Sequence, residues 1–396
     1  MSRLLILGAG PFQLSGIRKA VDLGHEVITL DYRPDNVGHR YSHRSVNCST
    51  ADAQGVARAA RDLDVDGICT FSSDVAIQAL ALACSELGLP GVAPEIARTM
   101  SLKNRFRRFL EEKGLPHPLF AAGESFDMLR EPIGRMRCPL IFKPVDTSGS
   151  RGVISVPEAN ETSARAAFDE AKRFSPSGTV CVEEFIQGTE VGGDALLLDG
   201  KIAFVAITHK HLSRFVVTGH SLPADIDAAD QARVQAALDE CCRALGYSEG
   251  VLNFDVMVTA ETVYVLEMSA RNGGNGIAAV IARATGVDAE VAAIRLALGE
   301  RPDLRTSAHP KGVASWIFGS DSSGTLKRIA DFDAVRQKVP ELFEFHQAIP
   351  VGGKVEPFTH GGQLLGYALF DCPEPALYAP TVGRIRKALD LAVEPG

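Results

Sequence analysis

Residues 251–271 read VLNFDVMVTAETVYVLEMSAR, and this stretch says most about how the chain folds. Apolar residues on both sides of a short polar turn predict two adjacent strands. Asp255 and Glu267 are twelve positions apart, so a short turn would place their carboxylates side by side. Oxygen ligands without nearby Cys or His favour Mg²⁺ or Mn²⁺ over zinc, and Arg271 would face the anion held by the metal. Two acids on a solvated sheet face are the plainer alternative, which the apolar strands disfavour.

A loop of small residues lies upstream, in the segment 139–152, which reads PLIFKPVDTSGSRG. An apolar strand carrying Lys143 leads into residues 146–152. Small residues let the backbone approach a ligand, and successive N–H groups can cradle phosphate oxygens, to which Lys143 would add a point charge. The spacing is not the P-loop pattern G-x-x-x-x-G-K-[ST], which the chain lacks. The loop therefore predicts either a phosphate cradle or an ordinary surface hairpin.

The first hundred residues alternate strand and helix patterns, which predicts a parallel sheet with right-handed crossovers. The turn Gly8-Ala9-Gly10-Pro11-Phe12-Gln13 nearly matches the dinucleotide-binding pattern G-x-G-x-x-G, and Asp31 closes the next strand. Because Gln13 replaces the last glycine, we expect a tight strand–helix turn, with an NAD site as the weaker alternative. Pro94 and the segment 102–118 indicate a hinge into a second domain.

From Leu140 onward the pattern favours hairpins, and Asp199-Gly200 between two apolar runs is typical of a hairpin turn. The predicted strands are 3–7, 26–31, 67–71, 139–144, 153–156, 179–183, 195–198, 201–207, 251–258, 262–268, 312–318 and 366–370, and the predicted helices are 13–23, 76–87, 102–113, 163–174, 227–245 and 379–391.

Composition narrows the class of protein. The chain has 396 residues, enough for two or three domains. Its 41 Lys and Arg against 49 Asp and Glu give a net charge of −8, which disfavours a nucleic-acid partner. No apolar run is long enough to cross a membrane. Eight Cys without C-x-x-C or disulfide-framework spacing suit a reducing compartment, so we expect a cytoplasmic protein.

A further group of side chains could line a pocket, because several are cationic or titratable and would suit an anionic or amino-acid substrate. These residues are His209, His211, Arg214, His220 and Trp316. They do not identify a substrate.

The order of these features resembles the ATP-grasp superfamily, and more closely the carboxylate–amine ligases related to biotin carboxylase, carbamoyl phosphate synthase and the L-amino acid ligases. The matching motifs are Leu102-Lys103, Ile141-Phe142-Lys143-Pro144 with the loop up to Gly152, Glu183-Glu184-Phe185-Ile186 with Glu190, Asp255, and Glu267-Met268-Ser269-Ala270-Arg271. The chain departs from the family at Leu102, which replaces an acid, and at Ser269, which replaces the metal-binding Asn; Asn272 or Asn275 could compensate.

The resemblance implies a fold that combines α/β and α+β regions. A Rossmann-like domain would span residues 1–98. An ATP-grasp N-terminal subdomain with a glycine-rich lid would span 99–188, and a larger C-terminal subdomain with the metal site would span 189–396. ATP would lie between the last two.

The resemblance also implies the site residues. Catalytic roles fall on Arg271 and Lys143, and the metal ligands would be Asp255, Glu267 and Ser269. ATP would be bound by Lys103, Lys143, Ser148, Gly149, Ser150, Gly152, Glu183, Glu184, Phe185, Ile186 and Glu190. The substrate would contact His209, His220, Arg271, Asn272 and Gly273.

The implied activity is an ATP-dependent carboxylate–amine ligase. It would use ATP and two Mg²⁺ ions, with Mn²⁺ as an option, and form an amide through an acyl phosphate. Its partners would be a small carboxylate and an amine, without nucleic acid or membrane, and a homodimer is one assembly to consider. The alternatives are a carboxylase-type or formyl-transferring enzyme that activates bicarbonate or formate, and a non-catalytic ATP-binding regulatory protein.

Overall fold

The computed structural model describes residues 1–158 and 160–395. The N-terminal part contains a parallel sheet with the strand order β3-β2-β1-β4. Its elements are β1 (Arg3–Leu7), α1 (Leu14–Asp22), β2 (Glu26–Asp31), β3 (Arg44–Asn47), α2 (Ala53–Asp62), β4 (Gly67–Thr70), α3 (Ile77–Leu87) and α4 (Pro94–Ser101). Leu4 to Leu7 are all fully buried, as expected for a central parallel strand covered on both faces.

A second, antiparallel sheet follows, with the order β5-β8-β6-β7. The elements of this region are α5 (Lys103–Glu112), β5 (Phe120–Gly123), α6 (Phe126–Ile133), β6 (Leu140–Pro144), β7 (Ile154–Val156), α7 (Glu161–Phe174) and β8 (Val180–Glu184). Helix α7 begins with a capping box, in which Asn160 and Ser163 each accept a hydrogen bond from the other's backbone N–H. Its apolar face packs against β6 and β8.

The largest sheet has eight strands in the order β13-β12-β9-β10-β11-β14-β18-β16, and β17, β15 and β19 form a small sheet beside it. The elements are β9 (Thr189–Leu198), β10 (Lys201–Ser213), β11 (Val216–Leu222), α8 (Ala228–Leu245), β12 (Gly250–Val258), β13 (Val263–Ser269), α9 (Ile277–Thr285), α10 (Ala289–Ala297), β14 (Val313–Gly319), β15 (Gly324–Arg328), α11 (Phe332–Lys338), β16 (Leu342–Gln347), β17 (Lys354–Val355), β18 (Leu364–Asp371), α12 (Tyr378–Leu389) and β19 (Ala392–Pro395).

The predicted hairpin at Asp199-Gly200 is present, and its two strands are longer than expected. Asp199 has φ 53° and Gly200 has φ 74°, the left-handed pair that a tight two-residue hairpin turn requires. Strand β10 continues to Ser213, beyond the predicted end at residue 207, because the polar run His209-Lys210-His211 pairs with β9 and β11. The second half of this strand was not predicted, because the prediction relied on apolar runs and this half is polar.

The N-terminal part is attached to the C-terminal part by polar contacts between α1 and α10. Lys19 Nζ lies 2.7 Å from both Asp288 Oδ2 and Glu290 Oε2, and Ser15 Oγ donates to Glu290 Oε2 at 2.6 Å. The same docking brings the loop after β4 to the end of β13, where Ser72 Oγ donates to Gly273 O at 2.9 Å. In the part of the chain that the structure describes, no helix is long and apolar enough to span a membrane.

Candidate active site

A cleft of about 520 Å³ lies between the second sheet and the eight-stranded sheet, and the N-terminal part reaches its rim. The cleft collects most of the residues predicted from the motifs. Those that line it are Lys103, Lys143, Ser148, Gly149, Ser150, Glu183, Glu184, Phe185, Ile186, Glu190, His220, Asp255, Glu267, Ser269 and Arg271. Phe12, Ser72 and Asp74 line it from the N-terminal part.

The glycine loop crosses the cleft and is held from two sides. Ser150 Oγ donates to Phe215 O at 2.7 Å, and Gly361 N donates to Gly149 O at 3.1 Å. Gly149, Ser150 and Gly152 have φ values of 68°, 61° and 71°, the left-handed backbone that turns successive N–H groups inward. Gly152 lies behind the lining, where an added Cβ would come within 2.8 Å of Pro144. Because Gly152 does not line the cleft, we expect it to affect nucleotide binding through the conformation of the loop.

Lys143 is fixed by a buried acid. Its Nζ donates to Glu183 Oε2 at 2.7 Å, and Arg107 Nε lies 2.9 Å from Glu183 Oε1. Burial acts to raise the pKa of Glu183, yet Arg107 and Lys143 outweigh it and lower this pKa to about 2. Two cations share one carboxylate, so this group of three side chains carries one net positive charge.

Lys103 lies between the glycine loop and the acids. Its Nζ donates to Thr147 O at 2.6 Å and lies 3.6 Å from Glu267 Oε1. Its backbone N–H donates to Val145 O at 3.0 Å, which ties the start of α5 to the end of β6.

The two predicted metal acids face each other directly, because Asp255 pairs with Glu267 in the β12–β13 register. Among the described residues, no group of three or more His, Cys, Asp and Glu side chains is arranged to hold a metal. Two carboxylates nevertheless fit Mg²⁺, which protein sites commonly bind through one or two carboxylates together with substrate phosphates.

Lys210 is a site residue that the motifs did not identify. Its Nζ donates to Glu190 Oε1 at 2.6 Å and lies 2.9 Å from Asp255 Oδ1, so it joins an acid predicted to bind ATP to a predicted metal acid. Burial acts to lower the pKa of Lys210, but Asp255 and Glu190 outweigh it and raise this pKa. No motif covers Lys210, which lies beyond the predicted end of its strand at residue 207.

Arg271 is held on both sides. Its Nε donates to Asp74 Oδ1 at 2.9 Å, and its Nη1 donates to Asn253 Oδ1 at 2.7 Å. Ser269 Oγ donates to the same Asp74 oxygen at 2.7 Å, so the hydroxyl expected to bind metal is engaged with an acid of the N-terminal part. The metal role of Ser269 stays a prediction.

The residues Glu184 and Phe185, both predicted to bind ATP, lie at the end of β8. Glu184 N donates to Leu119 O at 3.0 Å and Phe185 N donates to Pro139 O at 2.9 Å, which fixes the backbone beside the cleft. The Glu184 carboxylate accepts a bond from Arg137 N at 2.7 Å. The ring of Phe185 meets that of Phe215 edge-on at 6.4 Å.

Only some of the predicted substrate residues reach the cleft. His220 does, and burial lowers its pKa well below the ordinary value, which favours a neutral ring. His209 lies on the opposite face of β10 from Lys210, because side chains alternate along a strand. It packs edge-on against His211 at 4.8 Å, and His211 stacks on Tyr378. His209 therefore lies outside the cleft lining, and its contact with substrate stays a prediction.

Four more of the predicted residues lie outside the cleft lining, namely Arg214, Trp316, Asn272 and Gly273. Trp316 is buried in the core beside Phe318. Asn272 is fully buried, and Gly273 N donates to Asp194 Oδ1 at 2.8 Å. Of the two asparagines that could compensate for Ser269, Asn275 lines the cleft and Asn272 does not.

In the N-terminal glycine turn, the backbone N–H groups that a dinucleotide would need are already hydrogen-bonded to side chains of the protein. Ala9 N donates to Asp31 Oδ2 at 2.9 Å, and Gly10 N donates to Gln13 Oε1 at 3.0 Å. Gln13 Nε2 in turn donates to Phe71 O at 2.6 Å. Gln13 thus closes the turn from inside, which supports the tight-turn interpretation over an NAD site.

Comparisons with known proteins agree with this arrangement. Residues 136–279 match the family model described as an ATP-grasp domain. The chain is similar to the crystal structure of L-amino acid ligase from Bacillus licheniformis, with a TM-score of 0.86 and 21% identity, covering 100% of this chain and 99% of that one. These matches confirm the predicted fold class and the resemblance to the ATP-grasp superfamily.

Two curated relatives are similar in sequence. Formate-dependent phosphoribosylglycinamide formyltransferase from Rhodococcus jostii (strain RHA1) is 26% identical over 385 residues, which cover 94% of this chain and 91% of the relative. Carnosine synthase 1 from Homo sapiens is 25% identical over 341 residues, which cover 78% of this chain but only 41% of the relative. The predicted enzyme class, an ATP-grasp ligase, is confirmed by this set of relatives.

Proposed function

Because residues 136–279 match an ATP-grasp domain and the whole chain shares its fold with an L-amino acid ligase, we propose that it is an ATP-dependent carboxylate–amine ligase that forms an amide through an acyl phosphate. One observation carries the proposal. A single cleft holds an oxygen-only acid pair, two lysines beside a glycine loop, and an arginine anchored at the far side of the acids. Phosphoryl transfer to a carboxylate needs these three features together.

The chemistry has an electrostatic obstacle. A carboxylate oxygen must approach the γ-phosphate although both are anions, and two like unit charges at 4 Å repel by about 4 kcal/mol at an effective dielectric near 20. Lys103 and Lys143 would bind the α and β phosphates, and the loop around Gly149 would close over the β and γ phosphates. Asp255 and Glu267 would hold Mg²⁺, proposed as two ions, which neutralises phosphate charge.

Arg271 would orient the substrate carboxylate and the acyl phosphate formed from it. The amine then attacks the acyl carbon, phosphate leaves with the electron pair of the broken C–O bond, and the amine proton passes to solvent or phosphate. No enzyme nucleophile is required, so positioning and charge account for the catalysis.

The test is ADP release by the full chain with MgATP, screened against bicarbonate, formate and the twenty L-amino acids, singly and in pairs. We expect slow release with ATP alone and acceleration with one acid and one amine together. Arg271→Lys keeps the charge but loses the planar fork, so it should depress the acid-dependent rate strongly and leave ATP binding unchanged.

A formyl-transferring or carboxylase-type enzyme is the second candidate, favoured by the end-to-end similarity to the Rhodococcus formyltransferase. Stimulation by formate or bicarbonate, with no response to amino acids, would select it. Tight ATP binding with no stimulation by any acid would instead select the regulatory alternative, which the retained acids and Arg271 argue against.

A further inference from the structure

The end of the cleft that would receive the carboxylate is built by two parts of the chain. Asp74 opens the short 3₁₀ turn Asp74–Ala76 that follows β4 in the N-terminal part. Ser72, two residues earlier, has φ 55°, an uncommon backbone conformation for serine that redirects the chain after β4. Its hydroxyl donates to Gly273 O at 2.9 Å, so the turn is docked directly on the segment that follows β13.

Asp74 holds one edge of the Arg271 guanidinium. Its Oδ1 accepts the Nε–H at 2.9 Å and lies 2.6 Å from Nη2. Burial acts to raise the pKa of Asp74, but Arg271 outweighs it and lowers this pKa, so the carboxylate is ionised at neutral pH. The contact is therefore a charged pair that crosses from the N-terminal part to the eight-stranded sheet.

The other edge of the guanidinium is held from within the eight-stranded sheet. Nη1 donates to Asn253 Oδ1 at 2.7 Å and to Asn272 O at 3.1 Å. Asn253 is fixed in turn, because its Nδ2 donates to Asp194 Oδ1 at 3.0 Å. With both edges engaged, the guanidinium plane cannot rotate about its stem.

From these contacts we propose that Asp74 is the positioning residue of Arg271, and that Ser269 belongs to this support. The substrate part of this inference rests on the proposed ligase function. The negative charge of Asp74 offsets the positive charge of Arg271, so Asp74 weakens the attraction of Arg271 for the substrate carboxylate. At the same time, Asp74 fixes the orientation in which the guanidinium contacts that carboxylate. Ser269, which departs from the family motif, supplies the hydroxyl that Asp74 accepts at 2.7 Å.

The test compares Asp74→Asn with Asp74→Glu, Ser269→Ala and the control Lys19→Met in the full chain. Lys19→Met removes the ion pairs of α1 with Asp288 and Glu290, outside the cleft lining, and reports the effect of loosened docking alone. The probe is the amino acid that most stimulates ADP release in the unmodified chain. Steady-state rates give kcat and KM for that acid, and calorimetry gives the MgATP dissociation constant.

We expect Asp74→Asn to lower kcat at least about tenfold, with KM for the acid unchanged or lower and MgATP binding unchanged. Ser269→Ala should lower kcat a few-fold at the same half-saturating Mg²⁺ concentration. Asp74→Glu should recover part of kcat, and Lys19→Met should leave all constants near their original values. A fall in kcat together with a raised KM for the acid and a raised MgATP dissociation constant in Asp74→Asn would mean a merely structural role and would overturn the proposal. A raised Mg²⁺ requirement in Ser269→Ala would return that serine to the metal.

Hydrogen exchange provides a readout that does not depend on the reaction. Peptides covering residues 267–275 should exchange faster in Asp74→Asn and Ser269→Ala than in the unmodified chain and Lys19→Met, without nucleotide or acid. Unchanged exchange would refute the positioning role. If the unmodified chain responds to no acid but this exchange difference appears, the ligase function fails and the positioning of Arg271 stands.

Discussion

Lys210 offers a stability test of the acid cluster that needs no knowledge of the substrate. The perturbation is Lys210→Met, which keeps the length of the side chain and removes its charge. The ammonium lies 2.6 Å from Glu190 and 2.9 Å from Asp255, and each pair is worth about 6 kcal/mol at an effective dielectric near 20, before the cost of desolvating the charges.

Removing one partner of a buried ion pair costs about 3–5 kcal/mol, because the other charge is left uncompensated. The lower end applies here, since the Glu190 and Asp255 side chains retain 23% and 30% of their exposure. We expect Lys210→Met to lower the free energy of unfolding by about 3 kcal/mol without metal. Mg²⁺ at ten times its dissociation constant should restore about 1.4 kcal/mol in the variant, because the cation replaces the ammonium at Asp255.

The assay is urea unfolding followed by tryptophan fluorescence. Trp316 is the single tryptophan and lies buried in β14, so its signal reports the eight-stranded sheet that also carries Lys210 and Asp255. Lys201→Met is the matched control, because Lys201 is an exposed lysine at the other end of β10. Equal stability of the two variants would refute the assignment of Lys210 to the acid cluster of Glu190 and Asp255.

Three shorter predictions concern the nucleotide. Glu267→Gln should fold and still bind ATP weakly but lose most turnover, since phosphate charge stays unneutralised; near-normal ligase activity at saturating Mg²⁺ would contradict the metal role. Residues 146–152 should gain protection from hydrogen exchange with MgATP, and equal protection with and without it would contradict the phosphate cradle. Glu183 has a pKa lowered to about 2 from 4.5, so it stabilises the fold above pH 4.5 and this contribution disappears as pH falls through 2. Glu183→Gln should therefore lose less stability than the unmodified chain between pH 5 and pH 2 in acid titrations followed by circular dichroism, and an identical loss would contradict the ion pair.

Sequence patterns could identify the acids, lysines and glycine loop because each lies within a local motif. Asp255 and Glu267 face each other through one hairpin, and hairpin register follows from a short turn and two apolar strands. Lys143 and the loop after it are likewise continuous in the chain. Local order was sufficient for these residues, and for most of the strands and helices that were predicted it also set the boundaries to within a few positions.

Residues that depend on a face or on distant docking could not be found in this way. His209 and Lys210 are neighbours on β10, and only the pairing with β9 and β11 decides which of them faces the cleft. Asp74 meets Arg271 across 197 positions of the chain, a distance over which spacing carries no information. Asp194 lies beneath the site between Asn253 and Gly273, and burial raises its pKa to about 7. The position of Asp194 also depends on how the strands dock, so sequence spacing could not reveal it.

The two departures from the family motifs leave the charges of the site in place. Leu102 replaces an acid, yet Lys103 is positioned by backbone carbonyls, its N–H on Val145 O and its Nζ on Thr147 O at 2.6 Å. Ser269 replaces an asparagine, and its hydroxyl supports the acid that fixes Arg271. A protein that only bound ATP would have no use for a guanidinium held on both edges beyond the two carboxylates that are proposed to hold Mg²⁺. The departures at Leu102 and Ser269 therefore change only how Lys103 and Arg271 are held in place. The retained lysine and the anchored arginine favour a catalytic site over a degenerate one.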